Sequence, residues 1–524
     1  MTIELHGTSI IGLARGQGRE PAGRAINPAS GNTLDPTYLA ATPDEVDRAI
    51  GLAAEAFAEY SALPGRERAA FLRRIADEID AVVDDITERG SLETALPEAR
   101  MQGETARTTG QLRLFADLIE EGSWVDARIE RAQPDRQPLP KPDIRSMRRP
   151  LGPVAVFCAS NFPLAFSVAG GDTASALAAG CPVIVKAHSS HPGLAEIVGR
   201  AVLRAAEATG MPEGVFSLLY GSGREVGMAL VKDPAIQAVG FTGSRGGGLA
   251  LMEAASGRPQ PIPVYAEMSS VNPVVLLPGA VDSRGEAIAE GLFASLTLGA
   301  GQFCTNPGLV FLPDGHGEAF LGKLKELVEI APSAVMLNDG ICQAFKTTAS
   351  DFADTPGVET IAHSFTKQVE HRAVPVVFSV NVRRFLEDAD LHGEMFGPGM
   401  LIVRGSLEEI EATIPELEGQ LTATIHGEDA ELAANASLIE ALERRAGRLI
   451  VNGFPTGVEV CHSMVHGGPF PATSDGRSTS VGTMAIERFC RSVSWQGFPQ
   501  DLLPPELRDD NPLGISRLED GKRV

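Results

Sequence analysis

The chain has 524 residues, 43% hydrophobic and 22% charged, a composition that excludes a disordered or fibrous protein and a single small domain. Its 45 Lys and Arg residues against 68 Asp and Glu residues give a formal net charge of −23. Because an acidic chain repels phosphate backbones and anionic lipids, we expect neither nucleic acid nor a membrane surface as a partner.

The first part of the chain predicts helices. Thr42-Pro43-Asp44-Glu45 is a capping box, and apolar residues follow it at helical spacing. Two more helices are predicted, one from 65 past 79 and one that includes 111–119. The stretch 133–142 is rich in proline and polar residues, which predicts an exposed connector.

From Gly152 onward, predicted strands alternate with predicted helices. The strands are 154–158, 183–186, 215–220 and 238–242, and the helices are 172–179, 192–209, 224–231 and 246–255. Repeated βα units predict a parallel sheet that binds ligands beyond the carboxyl ends of its strands. A second α/β unit is predicted over 265–485. The segment 488–498 predicts an edge strand that could pair with another subunit.

The six cysteines, at positions 158, 181, 304, 342, 461 and 490, are scattered and form no C-x-x-C pair. This spacing favours free thiols in a reducing cytoplasm over disulfides or a zinc knuckle. Residues 1–14 show no basic segment followed by a long apolar run, so we expect no secretory signal. The uncharged stretch 154–171 has Ser160, Asn161 and Pro163 at its centre, which argues against a membrane span.

Two glycine-containing loops each follow a predicted strand and open a predicted helix. They are Gly221-Ser222-Gly223 and the segment 241–248, and neither is a G-x-G-x-x-G fingerprint. Their backbone N–H groups could bind a phosphate at a helix N-terminus. For either loop alone, an ordinary tight turn of an α/β fold is the favoured interpretation.

Three polar side chains could carry chemistry. Cys304, among the glycines of Gly299-Ala300-Gly301, could be a nucleophile or a buried structural cysteine. Glu267, at the end of the apolar segment 264–266, could be a general base or a satisfied residue at a strand end. Asn161 could form a turn or donate its amide to an oxyanion.

Together, six motifs in this order resemble the aldehyde dehydrogenase superfamily. They are Asn161-Phe162-Pro163, Val185-Lys186, Phe241-Thr242-Gly243-Ser244, Glu267, Gly301-Gln302-Phe303-Cys304 and Glu394-Met395-Phe396-Gly397-Pro398. The resemblance covers nearly the whole chain and implies that family's α/β fold. It implies a Rossmann-like cofactor domain over 1–133 and 151–266 and a catalytic domain over 267–487. Residues 134–150 and 488–524 would form a small β oligomerisation arm and the C-terminal tail, typical of a homodimer or homotetramer.

The resemblance also implies roles for individual residues. Cys304 would attack the aldehyde to give a thiohemiacetal and then a thioester, Asn161 would bind the oxyanion, and Glu267 would activate the hydrolytic water. Residues implied to contact an NAD(P) cofactor are Lys186, Phe241, Thr242, Gly243, Ser244, Glu394 and Phe396. The expected activity is oxidation of an aldehyde to a carboxylic acid.

Shorter phrases resemble the alpha-ketoglutarate semialdehyde (2,5-dioxovalerate) dehydrogenases within the superfamily. They are Ala266-Glu267-Met268-Ser269-Ser270, Gly110-Gln111-Leu112-Arg113 and the segment 461–469. The resemblance implies 2,5-dioxopentanoate as the substrate and 2-oxoglutarate as the product. Ser269-Ser270 stands where the superfamily usually has two glycines, a difference that this subgroup shares.

We expect NADP to be preferred over NAD. Ser189 stands where NAD-preferring relatives often have a glutamate, and a hydroxyl can donate to a 2′-phosphate that a carboxylate would repel. Arg224 resembles an arginine that contacts the 2′-phosphate in an NADP-preferring relative, although it could also be an ordinary exposed residue at a helix start.

The substrate carboxylate needs a cationic or amide partner in this acidic chain, and Arg107, Gln111 and Arg113 are candidates. Alternatively, these three residues form an exposed polar face of a helix and do not contact the substrate. Phe162, Phe454 and Phe470 are candidates for the wall of a substrate tunnel or, equally, for the core. His462 and His466 near Cys461 suggest a metal, but no further ligand is suitably spaced, so we expect no metal and a role for His466 beside the active site.

Three alternative functions stay open. One is a broad-specificity or fatty aldehyde dehydrogenase, and a second is transfer of the acyl group to coenzyme A instead of water. The third is a non-catalytic structural protein with the same fold. Retention of Cys304, Glu267 and Asn161 argues against the third, and retention of Glu267 favours water over coenzyme A.

Overall fold

The computed structural model describes residues 3–367 and 369–524. The helices, in chain order, are α1 (Pro43–Ala62), α2 (Gly65–Asp80), α3 (Val83–Thr94), α4 (Glu98–Glu121), α5 (Gly171–Ala179), α6 (Pro192–Ala208), α7 (Met228–Lys232), α8 (Arg245–Ser256), α9 (Pro278–Thr297), α10 (Glu318–Ile330), α11 (Asp339–Asp354), α12 (Val382–Glu387), α13 (Leu407–Thr413), α14 (Asp429–Ala434) and α15 (Ala436–Glu443).

The strands, in chain order, are β1 (Ile10–Ile11), β2 (Ala14–Arg15), β3 (Pro21–Ile26), β4 (Thr33–Leu39), β5 (Arg128–Glu130), β6 (Ile144–Pro150), β7 (Val154–Phe157), β8 (Val183–Lys186), β9 (Phe216–Leu219), β10 (Ala238–Thr242), β11 (Val264–Glu267), β12 (Val274–Leu276), β13 (Leu309–Pro313), β14 (Ala334–Val335), β15 (Glu359–His363), β16 (Arg372–Ala373), β17 (Val376–Asn381), β18 (Gly399–Gly405), β19 (Gln420–His426), β20 (Ala446–Val451), β21 (Cys490–Gln496), β22 (Leu518–Glu519) and β23 (Lys522–Arg523).

The first sheet has the strand order β11-β10-β7-β8-β9-β1-β2, and β7 to β11 are parallel in it. The βα pattern predicted this parallel sheet, and its strands 183–186 and 238–242 have the predicted bounds. Where one helix was predicted over 224–231, a π-helical turn over Gly223–Gly227 precedes α7. Strands buried on both faces explain the continuous apolar runs in the sequence.

Apolar side chains cover both faces of the first sheet. Helices α2, α4, α5 and α6 contribute to a large core on one face, which includes Phe71, Phe115 and Leu177. Val46 and Ile50 of α1 and Leu251 of α8 pack in the core on the other face. These two layers hold the strands rigidly, so the carboxyl ends of the strands are fixed in position.

The second sheet has the order β15-β17-β18-β13-β12-β19-β20, and all its neighbours are parallel except β15 and β17. It too has a buried core on each face. Glu267, at the end of β11 in the first sheet, forms an isolated antiparallel bridge with Thr473, which follows β20 in the chain and lies outside both sheets.

The third sheet has the order β21-β6-β5-β22-β23, and β21 lies at its edge. β21 pairs antiparallel with β6 along its whole length, from Cys490 opposite Pro150 to Gln496 opposite Ile144. β5, which was predicted to belong to the cofactor domain, pairs with β6 in this sheet. The predicted connector at 133–142 is largely exposed.

Candidate active site

Cys304 follows a 3₁₀ turn, Leu298–Gly301, and precedes β13. Gly301 has φ +70°, and a Cβ there would lie 2.3 Å from the carbonyl group of Gly397, so glycine is required. The buried Asn272 amide donates to the Cys304 carbonyl oxygen at 2.8 Å. These contacts hold the loop so that Cys304 is only partly buried.

Two side chains from distant parts of the chain meet the Cys304 thiol. His466 Nε2 lies 3.5 Å from Cys304 Sγ and 2.9 Å from Glu267 Oε1. Ser480 Oγ donates to the other Glu267 oxygen at 2.8 Å. Glu267 and His466 are almost completely buried, at 3% and 1% exposure. The three groups form one hydrogen-bonded cluster.

The charges in this cluster set its protonation. Burial raises the pKa of the Cys304 thiol well above its ordinary value, and the nearby Glu267 carboxylate raises it further. Burial alone would also raise the pKa of Glu267. The His466 ring and hydrogen bonds from His466, Ser480 and Cys304 outweigh that effect and lower the Glu267 pKa. At neutral pH the cluster therefore holds a thiol beside a carboxylate that can accept its proton.

Two donors are placed to bind an oxyanion. Asn161, just after β7, donates one amide hydrogen to the Gln302 carbonyl oxygen at 3.0 Å. An amide NH₂ group has a second hydrogen to donate. Within residues 3–367 and 369–524, the backbone N–H of Cys304 has no hydrogen-bond acceptor. Asn161 and Cys304 line the same cavity.

Two cavities meet at Cys304. One has a volume of about 470 Å³ and extends from Cys304 to the start of α8. The other has a volume of about 280 Å³ and lies against α4. Glu267 lines the first and His466 the second. The sulfur is therefore reachable from two sides, as a nucleophile between a cofactor and a substrate must be.

The larger cavity suits a dinucleotide in both volume and lining. Most of the residues that the resemblance implied for the cofactor line it, namely Phe241, Thr242, Gly243, Ser244, Glu394 and Phe396. Ser244 caps α8 by accepting from the Gly247 N–H at 3.3 Å. Among the residues that the structure describes, no atom beyond the chain neighbours and the helix's own backbone lies within 4 Å of where a Cβ of Gly246 would stand, which leaves room for a ligand at the helix start.

Glu394 is a second carboxylic acid of the larger cavity. Burial raises its pKa to about 8, although hydrogen bonds from Ser269 and the Ser270 backbone act in the opposite direction. Lys186 ends β8, and burial lowers its pKa. Lys186 is not among the residues that line the cavity.

A small cavity of about 70 Å³ adjoins the larger one, and His188 lines both. Ser189, Tyr220 and Gly221 line it, as does Arg24 of β3, which forms an ion pair with Asp35. Arg224, the arginine predicted for cofactor binding, is exposed and does not line either cavity. Arg24, which no pattern indicated, is the arginine beside Ser189.

The cavity of about 280 Å³ is lined by three of the predicted substrate residues, Phe162, Arg107 and His466. The predictions for Gln111 and Arg113 need correction. Gln111 is buried outside the cavity, and Arg113 is exposed on α4, where it forms ion pairs with Asp77 and Asp80.

The two other phenylalanines proposed for the tunnel wall also lie elsewhere. Phe454 packs beside His426 and Gly291 in the core of the second sheet, and Phe470 is 52% exposed. Sequence reasoning missed Glu104 and Arg100, which lie about one turn and two turns before Arg107 on the same face of α4. It also missed Phe303 as a wall residue and Ser480 as a partner of Glu267.

The two histidines considered as metal ligands, His462 and His466, lie in different places. His462 lies near Thr483, away from the catalytic cluster, and Cys461 does not join it. In the part of the chain that the structure describes, Glu267, Cys304 and His466 have their ligand atoms within 4.8 Å of one another, a set that could hold a metal ion. Spacing along the sequence could not reveal this set, because its members come from three separate segments.

Among the residues that the structure describes, no helix combines the length and the apolar character that a membrane span needs.

The chain resembles solved structures closely in fold. It matches an NADP-dependent enzyme from E. coli with a TM-score of 0.79, over 94% of this chain and 98% of that one, at 23% identity. It matches a 1-pyrroline-5-carboxylate dehydrogenase from Thermus with bound NAD at the same TM-score, over 94% and 92% of the two chains, at 20% identity.

Sequence comparison agrees with the fold. The chain is 53% identical to alpha-ketoglutaric semialdehyde dehydrogenase 2 of Azospirillum brasilense, over 99% of this chain and 100% of that protein. It is 45% identical to an alpha-ketoglutaric semialdehyde dehydrogenase of Acinetobacter baylyi, over 99% of both. Residues 16–335 match the aldehyde dehydrogenase family. The predicted fold class is thus confirmed, and the chain belongs to the aldehyde dehydrogenase family, whose members use NAD(P).

Proposed function

We propose that this chain oxidises alpha-ketoglutaric semialdehyde (2,5-dioxopentanoate) to 2-oxoglutarate with NAD(P)⁺. The observation that carries the proposal is the position of Cys304, between a cavity that suits a dinucleotide and a cavity that contains arginines. The 53% and 45% identity to enzymes of that name supports the choice of substrate.

The first half of the reaction uses the thiol and the oxyanion donors. The Cys304 sulfur bonds to the aldehyde carbon while its proton passes to Glu267, whose carboxylate lies within 4.8 Å of the sulfur. The aldehyde oxygen becomes an alkoxide, held by the Asn161 amide and the Cys304 N–H. The chemistry that bound NAD(P)⁺ supplies is acceptance of hydride, which converts the thiohemiacetal into a thioester.

The second half uses Glu267 as a base. Once Glu267 has released the thiol proton to solvent, its carboxylate takes a proton from a water molecule, whose oxygen attacks the thioester carbon; the C–S bond breaks, the Cys304 thiolate takes that proton back from Glu267, and the acid leaves. Hydrogen bonds from His466 and Ser480 hold both Glu267 oxygens in place. A thioester is a reactive acyl donor, so a weak base is sufficient.

We propose NADP as the preferred cofactor. Ser189 and Arg24 line the small cavity that adjoins the cofactor cavity, and the charge of Arg24 is paired with Asp35. A hydroxyl suits a 2′-phosphate, whereas a glutamate at position 189 would repel it. A Ser189→Glu variant should shift the ratio of kcat/KM for NADP to that for NAD toward NAD. An unchanged ratio would contradict this proposal.

We further propose that the chain acts as a homodimer or homotetramer in the cytoplasm. β21 is an edge strand, and Arg491 and Ser492, which point to opposite faces of the sheet, are both exposed. All six cysteines are free, as a nucleophilic thiol requires. Light scattering on the purified protein would test the assembly, and a monomer at micromolar concentration would contradict it.

The activity itself is tested with a panel of aldehydes and both cofactors. The panel includes 2,5-dioxopentanoate, aliphatic aldehydes of increasing length and a coenzyme A addition. We expect the highest kcat/KM for 2,5-dioxopentanoate and a free acid as the product. A preference for long uncharged aldehydes would favour a fatty aldehyde dehydrogenase, and acyl-coenzyme A as the product would exclude the hydrolytic mechanism.

A further inference from the structure

The cavity that lies against α4, which we call the substrate cavity, contains two arginines, and only one of them forms an ion pair with a carboxylate in the part of the chain that the structure describes. Arg100 and Arg107 both line it, on one face of α4, and both are partly buried. Together we call them the arginine pair. The arginine pair faces a cavity whose other walls are largely apolar, including Phe162, Phe166 and Phe303.

Arg100 is neutralised by a carboxylate. Its Nε donates to Glu104 Oε2 at 3.2 Å, and its Nη2 lies 3.1 Å from the same oxygen. The other Glu104 oxygen accepts from the backbone N–H groups of Leu164 and Ala165 at 2.9 and 3.0 Å. Glu104 is only 3% exposed, so this arrangement is fixed.

The guanidinium plane of Arg100 is also fixed by aromatic rings. Its Cζ lies 4.6 Å from the centre of the Phe162 ring and 4.8 Å from that of the Phe303 ring. Within residues 3–367 and 369–524, its Nη1 has no hydrogen-bond acceptor. Arg100 thus presents an oriented donor whose charge is already balanced.

Arg107 keeps its charge. Its Nη1 donates to the Val458 carbonyl oxygen at 2.5 Å, and its buried Nε has no hydrogen-bond partner. Among the residues that the structure describes, no carboxylate forms an ion pair with it. Glu104 forms its ion pair with Arg100 and acts on Arg107 only at longer range, so Arg107 is the arginine of this cavity that has no ion pair within the described residues and can take one with an anion.

We infer that the arginine pair recognises the two ends of a 2-oxo acid group separately: Arg107 binds the carboxylate and Arg100 donates to the 2-oxo oxygen. The inference rests on the proposed function and makes Arg100 a specificity-determining residue. An arginine whose charge is already paired with a carboxylate suits a neutral carbonyl oxygen, and an arginine without such an ion pair suits the substrate carboxylate. The cavity would therefore distinguish a 2-oxo semialdehyde from a semialdehyde of equal length and charge.

The test compares 2,5-dioxopentanoate with 5-oxopentanoate, which lacks only the 2-oxo oxygen. Selectivity is the ratio of kcat/KM for the first aldehyde to that for the second. We expect Arg100→Gln to lower this ratio about 10- to 100-fold, the value of a hydrogen bond from a charged donor. Arg107→Gln should lower kcat/KM for both aldehydes about 100-fold or more, with little change in the ratio.

Three controls make the outcomes distinct. Arg113→Gln lies on the same helix but outside the cavity, and should leave the ratio unchanged. Because Arg100→Gln leaves Glu104 unpaired, the double variant Arg100→Gln/Glu104→Gln tests the same ratio without a buried charge. Arg100→Lys keeps a cation beside Glu104, and should lower the ratio because it loses the oriented Nη1 donor.

An unchanged ratio in both Arg100 single variants and in the double variant would overturn the inference. A fall in the ratio for Arg107→Gln alone would also overturn it, because the roles would then be reversed. Wild-type protein that oxidises neither semialdehyde would refute the proposed function instead. The two failures are therefore distinguishable.

Discussion

Replacement of Glu267 by glutamine should separate the two halves of the reaction. The glutamine side chain has the shape of the glutamate and can keep a hydrogen bond to Ser480 or His466, but it cannot take a proton from water. Because Glu267 also takes the thiol proton in the first half, we expect Glu267→Gln to form the thioester on Cys304 more slowly than the wild type and then to stall before hydrolysis. NAD(P)H should appear as a burst of one equivalent per active chain, followed by slow turnover.

The size of the defect follows from the surroundings of Glu267. A positioned general base typically contributes about 10²- to 10⁴-fold to rate. Hydrogen bonds from His466 and Ser480 lower the pKa of Glu267, which makes it a weaker base. We therefore expect a steady-state loss in the lower part of that range, about 10²- to 10³-fold, or about 3 to 4 kcal/mol at about 1.36 kcal/mol per tenfold.

Stopped-flow absorbance of NAD(P)H measures both phases. Hydroxylamine, which attacks thioesters without a base, should restore turnover to Glu267→Gln. Ser480→Ala is the matched control, because it removes one hydrogen bond from Glu267 and leaves the carboxylate. Loss of the burst in Glu267→Gln, with Cys304 still open to alkylation, would refute the assignment of Glu267 to hydrolysis.

Three further predictions concern the other groups of the site. Asn161→Ala should lower the rate of the burst about 10²- to 10³-fold, measured by stopped flow, because it removes an oxyanion donor; a burst of wild-type rate would contradict that role. The affinity for cofactor should increase as the pH rises through about 8, since Glu394 then ionises and can accept hydrogen bonds from ribose hydroxyls. Fluorescence titration would show this, and Glu394→Gln should bind with a flat pH profile; a wild-type profile in that variant would exclude Glu394 as the cause. Zn²⁺ should bind cofactor-free protein at one site per chain, because Glu267, Cys304 and His466 place their ligand atoms within 4.8 Å. Calorimetry should show that chelator reverses this binding and that Cys304→Ala loses it; tight binding to that variant would place the ion elsewhere.

The sequence allowed the first sheet to be predicted because its signals are local. Apolar runs such as 183–186, ended by turn residues, identify buried strands; the strands at 183–186 and 238–242 have the predicted bounds, and those predicted at 154–158 and 215–220 are one and two residues shorter. Parallel order then places Asn161, Ser244 and Glu267 at one edge, since each follows or ends a strand of that sheet. This placement follows from local sequence signals, and predicting it required no knowledge of contacts between residues distant in the sequence.

The rest of the site depends on contacts over long sequence separations. His466 meets Glu267 across 199 positions, and Arg107 meets Val458 across 351. No periodicity indicates such pairs. The spacing of Arg100, Glu104 and Arg107 on one helix face was visible, but nothing in the sequence showed which face of α4 lines the cavity. Arg113, on the same helix, pairs with α2 instead.

The central claim is that the substrate becomes an acyl group on Cys304, and mass spectrometry tests it most directly. Glu267→Gln is mixed with 2,5-dioxopentanoate and NADP⁺, quenched in acid and digested. We expect the acyl mass on the peptide that contains Cys304, present with cofactor and absent without it. An adduct on another cysteine, or no adduct while NADPH forms, would contradict this mechanism.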